Sequence, residues 1–324
     1  GGNLIFESQD NPTSNSLSPQ AFIGFIVIFS QILPPIKSLS QGYYNIQRGS
    51  ASAQRITAIL EAEIEVKEKE NAIPIQTFKN SIEFKNVSFC YPETDVWVLQ
   101  DISFKIKANE KFGIIGTTGS GKSTIAKLLV GVYRPTKGEI FVDGLPIEYY
   151  NRAKLNKLLG YVAQDIFLFS ETLRNNILFG SADADDEKNL KRAISCASLD
   201  GEISAFPDGL ETLLGERGIT LSGGQKQRTA IARALVKDPE ILLIDDGLSA
   251  VDTKTEVAIK NSLRDWNRSQ TFINISHRVS SVQDCKHIIF LHNGTITEQG
   301  THSQMLELKG VYTDLFDKQM MIEE

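Results

Sequence analysis

A glycine-rich segment followed by lysine and serine carries the most specific chemistry in this sequence. It covers Gly116–Thr124 (GTTGSGKST), between a short apolar strand and a helix predicted over Ile125–Tyr133. Glycines let backbone N–H groups wrap around phosphates, and the N-terminus of the following helix favours negative charge. Lys122 is expected to reach the β- and γ-phosphates, and Ser123 to bind Mg²⁺ through its hydroxyl. The strand–loop–helix context therefore predicts a nucleoside triphosphate site.

A second glycine motif, LSGGQ, lies over Leu221–Gln225. Ser222 and the two glycines are predicted to open a helix that runs through Ala230 and Ala234. Bare N–H groups at that N-terminus would make a second anion site. Two anion sites so far apart along the chain are not expected to hold one phosphate within one compact copy. They can do so if two copies pair head to tail, so the sequence predicts a dimer.

Acidic and polar residues follow two further apolar strands. The first strand, Ile241–Ile244, is apolar throughout, as in a strand buried on both faces, and it ends in Asp245 and Asp246. Asp245 is placed to hold Mg²⁺, and Asp246 is placed to orient the attacking water. The second strand, Phe272–Ile275, precedes His277. We expect this histidine to contact the γ-phosphate rather than to have only a structural role.

Alternating apolar residues before the phosphate loop predict half-buried strands of an antiparallel sheet. The alternation covers Ile82–Phe89, with a one-residue slip, and resumes over Ile102–Ile106. Tyr91 follows the first of these strands. It either caps the strand end or offers its ring as a stacking platform for adenine. The tail from Thr301 to Glu324 is predicted to form one or two helices.

Composition limits the class of protein and of partner. The 324 residues are 41% hydrophobic and 23% charged, which is typical of a globular protein and not of a disordered one. The net charge is −6 without a long basic run, so no nucleic-acid partner is predicted. The three cysteines, Cys90, Cys196 and Cys285, are widely spaced. This predicts reduced, buried thiols rather than a disulfide framework or a zinc site.

An uncharged segment near the start predicts a membrane helix. No charged residue lies between Asp10 and Lys37, and Ala21–Leu33 (AFIGFIVIFSQIL) is almost wholly apolar. With its flanks it approaches the ~20 residues that a membrane helix needs, although a buried core helix and a signal anchor are alternatives. Pro34-Pro35 would kink or end a soluble helix, whereas neighbouring helices compensate in a membrane. Lysine and arginine occur only after the segment, which predicts a cytoplasmic downstream side.

Three regions are predicted along the chain. Residues 1–62 form the remnant of a transmembrane domain, with a helix over about 18–61; residues 63–80 form a charged linker; residues 81–324 form the catalytic domain. The chain begins Gly-Gly-Asn and has no methionine before Met305. We therefore expect a longer natural protein whose other membrane helices lie upstream.

These segments together resemble the ATP-binding domain of ABC transporters, from roughly Ser81 to the C-terminus. The resembling features are Tyr91 (A-loop), Gly116–Thr124 (Walker A), Gln164 (Q-loop), Gly215–Gly218 (typical of exporters), LSGGQ, the Walker B strand ending at Asp245, Asp252 (D-loop) and His277 (switch). Residues Ala21–Glu61 are similar to the last membrane helix of an exporter half-transporter of the bacterial lipid A and multidrug type. The resemblance implies an α/β P-loop NTPase fold of ABC type. Its parts are a mixed central sheet, an antiparallel β-subdomain and an α-helical subdomain, preceded by one transmembrane helix.

The same resemblance implies how the site works. Two ATP and Mg²⁺ bind in a dimer of half-transporters, each ATP between Walker A of one copy and LSGGQ of the other. The implied ATP-binding residues are Tyr91, Thr117, Gly119, Ser120, Gly121, Lys122, Ser123 and Thr124, with Ser222, Gly223, Gly224 and Gln225 from the second copy. The implied catalytic residues are Lys122, Gln164, Asp246 and His277, and the implied metal ligands are Ser123, Gln164 and Asp245. Closure and hydrolysis would drive export of a lipid or hydrophobic substrate across the inner or cytoplasmic membrane, with the ATPase domain in the cytoplasm.

Asp246 departs from the family, which usually has glutamate at this position. Its carboxylate lies about 1 Å further back, and a misplacement of that size can cost on the order of a hundredfold in rate. The chain is then either an active homodimer, in which the backbone at Gly247 compensates, or the weakly hydrolysing regulatory half of a heterodimer. A third alternative is a soluble ABC ATPase without a transport role. Such proteins carry coiled-coil insertions or tandem ATPase domains, which do not occur between Gly116 and Asp245.

Overall fold

A computed structural model of the chain describes residues 18–61, 69, 71–92, 94–181, 186–248, 250–266 and 270–323. The chain divides into two compact units, Gly1–Ile64 and Glu65–Glu324. Residues 1–17 and 62 of the predicted transmembrane remnant lie outside the described residues, as do residues 63–68 and 70 of the predicted linker. The predicted boundaries near residues 62 and 80 stay predictions.

The first unit contains a single described helix, α1, over Pro19–Leu60. Ser18 caps it by accepting the Ala21 N–H at 3.2 Å, and proline occupies the first helical position. The helix continues without a break through Pro34 and Pro35. Its 42 residues span about 63 Å, roughly twice the hydrocarbon thickness of a bilayer. The helix therefore has the predicted length, which includes an extension beyond its apolar part.

The apolar side chains of α1 lie on the surface of the helix without a covering element. Phe25 is 63% exposed, and the most apolar part of the helix has no buried residue. Among the described residues, α1 is the one helix that is long and apolar enough to cross a membrane, by length and composition. Within the described residues the apolar part of α1 is not buried, whereas the core helix of a soluble protein is mostly buried.

The second unit is built on two β-sheets with helices between and after their strands. The strands are β1 (Ser81–Cys90), β2 (Trp97–Lys107), β3 (Lys111–Gly116), β4 (Lys137–Val142), β5 (Leu145–Pro146), β6 (Leu159–Val162), β7 (Ile241–Asp245), β8 (Thr271–Ser276), β9 (His287–His292) and β10 (Thr295–Gly300). The helices are α2 (Lys122–Leu129), α3 (Arg152–Leu158), α4 (Leu173–Leu178), α5 (Glu187–Cys196), α6 (Asp200–Ala205), α7 (Gly223–Leu235), α8 (Thr253–Trp266), α9 (Val279–Val282), α10 (His302–Glu307) and α11 (Val311–Glu323). Short 3₁₀ turns lie over Ile147–Tyr149, Gly209–Glu211 and Glu216–Gly218.

The smaller sheet is antiparallel, with the order β2-β1-β4-β5. The predicted slip in β1 is present, because the register shifts between Phe84 and Val87, where Asn86 has a φ of 48°. The larger sheet has the order β10-β9-β3-β8-β7-β6, and only the β9–β10 pair is antiparallel within it. The second unit thus contains the mixed sheet and the separate antiparallel sheet that the resemblance implies.

The parallel strands β3, β8 and β7 are direct neighbours. Their carboxyl ends therefore meet at one edge of the sheet, where ligands of open α/β sheets bind.

Three apolar clusters hold these elements in place. One joins the two sheets and α2, and it includes the stacked rings of Phe84, Phe104 and Phe112. A second packs α4, α5 and α7 beside β7, and it forms the helical subdomain. A third lies under β9, α9, α10 and α11, where Met305 and Tyr312 are fully buried.

Candidate functional site

The phosphate loop connects the end of β3 to the start of α2. Gly121 caps α2 with a φ of 100°, which favours glycine, and a Cβ at this position would lie 2.6 Å from Leu99 Cδ2. The helix begins at Lys122, three residues before its predicted start, and it ends at Leu129 instead of Tyr133. The pattern of apolar residues could not predict the first turn of the helix, because that turn is polar. At the other end, Gly131 with a φ of 73° follows the last turn.

The loop opens into a cavity of about 490 Å³ at the carboxyl ends of β3, β7 and β8. The residues that line the cavity are Tyr91, Val98, Thr118, Gly119, Ser120, Gly121, Lys122, Ser123, Thr124, Gln164, Asp246 and His277. The fold therefore collects, from five separate segments, most of the residues that the sequence predicts for one ATP site. Thr117 belongs to the same loop and contacts Lys122 through its carbonyl oxygen.

Lys122 is turned back onto its own loop. Its Nζ donates to the carbonyl oxygens of Gly116 and Thr117, both at 2.9 Å, and the residue is only 7% exposed. Burial lowers the pKa of this ammonium group, while Asp246 and Asp245 oppose the shift. The positive charge thus lies where phosphates are expected, and it is held by two bonds that a phosphate oxygen can replace.

Three oxygen-bearing side chains lie beside the loop. Ser123 Oγ donates to Gln164 Oε1 at 3.2 Å. Asp245 is 1% exposed, and neither of its carboxylate oxygens has a hydrogen-bond partner. Burial away from water raises the pKa of Asp245 to about 6, and Asp246 adds to the rise, whereas the neighbouring Ser123 hydroxyl and the charge of Lys122 oppose it. A buried carboxylate without partners is costly unless a cation or proton compensates its charge.

This oxygen set fits Mg²⁺. Magnesium prefers hard oxygen ligands and usually binds to one or two carboxylates together with substrate phosphates and water. Within the described part of the chain, no group of three or more His, Cys, Asp or Glu residues could hold a metal ion by itself. A site with one carboxylate, one hydroxyl and one amide oxygen would therefore be completed by the nucleotide.

Asp246 and His277 form a pair in the lining of the cavity. Asp246 Oδ1 accepts the backbone N–H of His277 at 3.1 Å and lies 3.0 Å from His277 Nδ1. The Asp246 backbone has a φ of 49°, in the left-handed region that few side chains adopt without cost. Its side chain is 10% exposed, whereas that of His277 is 49% exposed. The carboxylate is thus oriented by the histidine, whose ring faces solvent.

Tyr91 also lines the cavity and is held by several contacts. Its hydroxyl lies 3.0 Å from Thr124 Oγ1, and its ring makes edge-to-face contacts with Phe89 and Tyr133. Tyr91 follows the end of β1 and lines the cavity. This position is compatible with both predicted roles, a cap at the strand end and a stacking platform for adenine.

The LSGGQ motif caps its own helix. Ser222 Oγ accepts the Gln225 N–H at 3.2 Å, and Gln225 Oε1 accepts the Ser222 N–H at 2.9 Å. The expectation of bare donors is therefore wrong for these two N–H groups, because the capping box already uses them. At Gly224, a Cβ would lie 3.0 Å from the Ala250 carbonyl oxygen. None of the motif's residues from Ser222 to Gln225 lines the cavity at the phosphate loop.

Sequence reasoning missed three residues at this site. Val98 lines the cavity from β2. Thr118, a residue of the phosphate loop for which no role was predicted, lines it as well. Gln227 on α7 donates from Nε2 to the Asp246 carbonyl oxygen at 3.4 Å, and its Oε1 accepts the Ala250 N–H at 2.8 Å. The proximity of Gln227 to LSGGQ is the one signal that could have pointed to it.

Comparisons with known proteins agree with this geometry. Residues 99–249 match the family model described as ABC transporter. A probable multidrug resistance ABC transporter ATP-binding/permease protein of Bacillus subtilis (strain 168) is 39% identical over 307 residues, which are 95% of this chain and 52% of the relative. An ATP-dependent lipid A-core flippase of Escherichia coli (strain K12) is 38% identical over 296 residues, which are 90% of this chain and 50% of the flippase.

A solved structure of a bacterial Atm1-family ABC exporter with ATP bound superimposes with a TM-score of 0.79 at 34% identity. The match covers 98% of this chain and 55% of the exporter chain. The chain thus spans about half the length of the relatives that it matches.

Proposed function

We propose, on the premise that this chain carries the ATP-binding domain of an ABC transporter, that it is the ATP-binding and ATP-hydrolysing subunit of an ABC exporter. The carrying observation is the single cavity that brings Lys122, Ser123 and Gln164 together with the Asp246–His277 pair. The partnerless carboxylate of Asp245 supports the same function.

ATP would bind with its triphosphate along the loop and its base near Tyr91. Phosphate oxygens would accept from the loop N–H groups and from Lys122, whose Nζ would leave the carbonyl oxygens of Gly116 and Thr117. The ring of Tyr91 is held by Thr124, which reduces the entropy lost when a base stacks on it.

Asp245, Ser123 and Gln164 would hold Mg²⁺. When bound, this ion neutralises charge that develops on the phosphates. Asp245 would contribute a fully buried carboxylate, and Ser123 would direct its hydroxyl oxygen to the ion while Gln164 offers its amide oxygen.

Asp246 would orient the attacking water and accept its proton. The water oxygen forms a bond to the γ-phosphorus, and the bond from that phosphorus to the β–γ bridging oxygen breaks, with its electron pair leaving on ADP. One proton of the water passes to the Asp246 carboxylate. His277 holds that carboxylate at 3.0 Å, and its exposed ring is available to the γ-phosphate.

A second ABC subunit would complete each site. Residues 222–225 do not reach the chain's own cavity, so they are available to the nucleotide of a partner. The capping box uses the N–H groups of Ser222 and Gln225, so a phosphate would accept from the Ser222 hydroxyl and from the N–H groups of Gly223 and Gly224. A half-transporter of the same or a related sequence is the partner that fits.

The chain would act at the cytoplasmic membrane, with the ATPase domain in the cytoplasm. Support comes from α1, whose apolar side chains are exposed, and from basic residues that follow its apolar part. The relatives carry the names multidrug resistance transporter and lipid A-core flippase, which favours a lipid or another hydrophobic substrate for this chain.

The test is Mg²⁺-dependent ATP hydrolysis by the full chain in lipid nanodiscs. Lys122→Ala should lower kcat at least about a hundredfold, because the charge facing the phosphates is removed. Lys154→Ala is the matched control, since Lys154 is an exposed lysine on α3 outside the cavity. Hydrolysis by Lys122→Ala at the wild-type rate would contradict the proposal.

A second candidate is a regulatory half with little turnover. The favouring observation is that Asp246 Oδ1 is already shared by two donors of His277, and that the side chain is nearly buried. Such a carboxylate would be a poor acceptor for a water proton. This candidate shares the nucleotide site with the first and differs in the rate of hydrolysis.

A further inference from the structure

The last described helix, α11, contacts the loop that carries His277. Gln319 Nε2 donates to the carbonyl oxygen of His277 at 2.7 Å. The same side chain accepts the N–H of Val279 through Oε1 at 2.8 Å. One amide therefore bridges the peptide groups on both sides of Arg278.

Both bonds satisfy groups that local structure leaves without a partner. Val279 is the first residue of α9, where backbone N–H groups have no acceptor inside the helix. Arg278 occupies the N-cap position, and its side chain makes no capping bond. Gln319 thus takes the place of a missing N-cap and holds the carbonyl of the residue before it.

The helix that presents Gln319 is itself anchored. Tyr312, in its first turn, is fully buried in the third cluster with Val279 and Val282, and its hydroxyl lies 2.7 Å from His302 Nδ1. Gln319 follows Tyr312 by two helical turns. Its amide therefore stands on a packed element and not on a free tail.

From Gln319 the contacts lead directly to the reacting groups. The residue whose carbonyl it holds, His277, donates its own N–H to Asp246 Oδ1 and lies against the same oxygen through Nδ1. A change at Gln319 would move the backbone of His277. The Asp246 carboxylate, which would orient the attacking water, would then no longer be held in its present position. Displacements of 1 Å can cost on the order of a hundredfold in rate.

We propose that Gln319 is a positioning residue for ATP hydrolysis, through which the C-terminal helix α11 sets the place of His277 and hence of Asp246. It does not touch the nucleotide cavity. Its effect on turnover rests on the proposed function, whereas its effect on His277 does not.

The kinetic test compares Gln319→Ala with Lys318→Ala in the full chain. Lys318 is an exposed neighbour on α11, outside the cavity, so it is a matched control. Gln319→Ala should lower kcat about tenfold, a part of the cost expected for a full 1 Å displacement, and leave ATP affinity within about twofold. Gln319→Glu keeps the acceptor for Val279 but loses the donor to His277. The glutamate variant should therefore show the same loss of kcat as the alanine variant, while its melting temperature should lie closer to that of the wild type.

A double-mutant cycle separates positioning from general destabilisation. If Gln319 acts through His277 and Asp246, Gln319→Ala should lower kcat less than about twofold further in an Asp246→Ala background, which lacks the carboxylate that both groups of His277 contact. Losses that multiply in the double variant would overturn the proposal, as would an unchanged kcat in Gln319→Ala.

A measurement without turnover keeps the inference testable by itself. The chain has four histidines, so ¹³C-histidine labelling gives a small set of ring signals that single substitutions assign. Gln319→Ala should shift the His277 ring signal, and Lys318→Ala should not. If the wild type does not hydrolyse ATP, the proposed function fails, and this signal still decides the role of Gln319. An unmoved His277 signal in Gln319→Ala overturns it.

Discussion

We propose different tasks for two adjacent aspartates because their surroundings differ. Asp245 is fully buried and without a hydrogen-bond partner, whereas Asp246 is bound at one oxygen by two donors of His277. The first arrangement suits a cation ligand and the second a water acceptor whose direction is fixed. At the residue scale, the two carboxylates therefore differ in their surroundings: Asp245 is buried without a hydrogen-bond partner, and Asp246 is held by His277.

Asp246→Glu distinguishes the two proposed rates of hydrolysis. If the left-handed backbone at Asp246 matches the shorter side chain to His277, the longer side chain should displace the pair, and kcat should fall. Steady-state ATP hydrolysis measures this, with Asp246→Asn as the control that removes the charge at nearly constant size. A rise of about tenfold or more in Asp246→Glu would contradict an active homodimer and favour the regulatory half.

Asp245→Asn should stabilise the protein when nucleotide and Mg²⁺ are absent. The folded state raises the pKa of Asp245 from 3.8 to about 6, so it holds the proton more tightly than the unfolded chain. Wild-type stability should then fall as pH rises from about 4 to 6, by at most roughly 3 kcal/mol. The asparagine variant lacks this loss.

Thermal melting of the full chain at pH 5 and pH 7.5 measures the effect. We expect Asp245→Asn to melt above the wild type at pH 7.5, with a smaller gap at pH 5, and to bind ATP more weakly in the presence of Mg²⁺. Lower stability of the variant at pH 7.5 would show that the carboxylate is compensated by other means.

At the element scale, the site depends on which strand ends meet. The phosphate loop, Asp246 and His277 follow β3, β7 and β8, which lie side by side in one parallel array. Helix α7 is coupled to this edge by Gln227, which bonds to both ends of the segment from Asp246 to Ala250. The LSGGQ helix and Asp246 are therefore connected by hydrogen bonds within one copy.

Gln227→Ala should weaken that connection. It removes two hydrogen bonds of a buried side chain, so we expect a loss of about 1 kcal/mol in stability and a lower kcat with little change in nucleotide affinity. Gln283→Ala is a suitable control, because Gln283 is an exposed glutamine outside the cavity. Unchanged hydrolysis in Gln227→Ala would separate α7 from the catalytic edge.

Local signals predicted the elements better than their connections. The apolar alternation of β1 and β2, the glycine loop before α2 and the long helix α1 could be predicted because each depends on neighbouring residues. The first turn of α2 could not, since its residues are polar and do not extend the apolar period. The contacts of Gln227 and Gln319 join residues 19 to 42 positions apart along the chain. No periodic pattern among neighbouring residues predicts such contacts.

At the scale of the whole molecule, we propose that one copy holds one part of each of two ATP sites and completes neither site by itself. The cavity at Lys122 and the capped motif at Ser222 lie on separate parts of the second unit, and the motif does not line the cavity. The sequence order of the two motifs predicted this separation, but the self-capping of LSGGQ became visible only in three dimensions. A second copy is the simplest means to complete both sites at once.

Complementation between two inactive variants tests the central claim most directly. One variant is Lys122→Ala; the other is Ser222→Glu, whose carboxylate repels a triphosphate. A mixed dimer would hold both defects in one site and leave the other site intact. Equal mixing and reassembly in nanodiscs should therefore restore about a quarter of the wild-type rate of ATP hydrolysis, because half of the dimers are mixed and each has one working site. No recovery at any mixing ratio, with both variants folded and binding each other, would contradict a site shared between two copies.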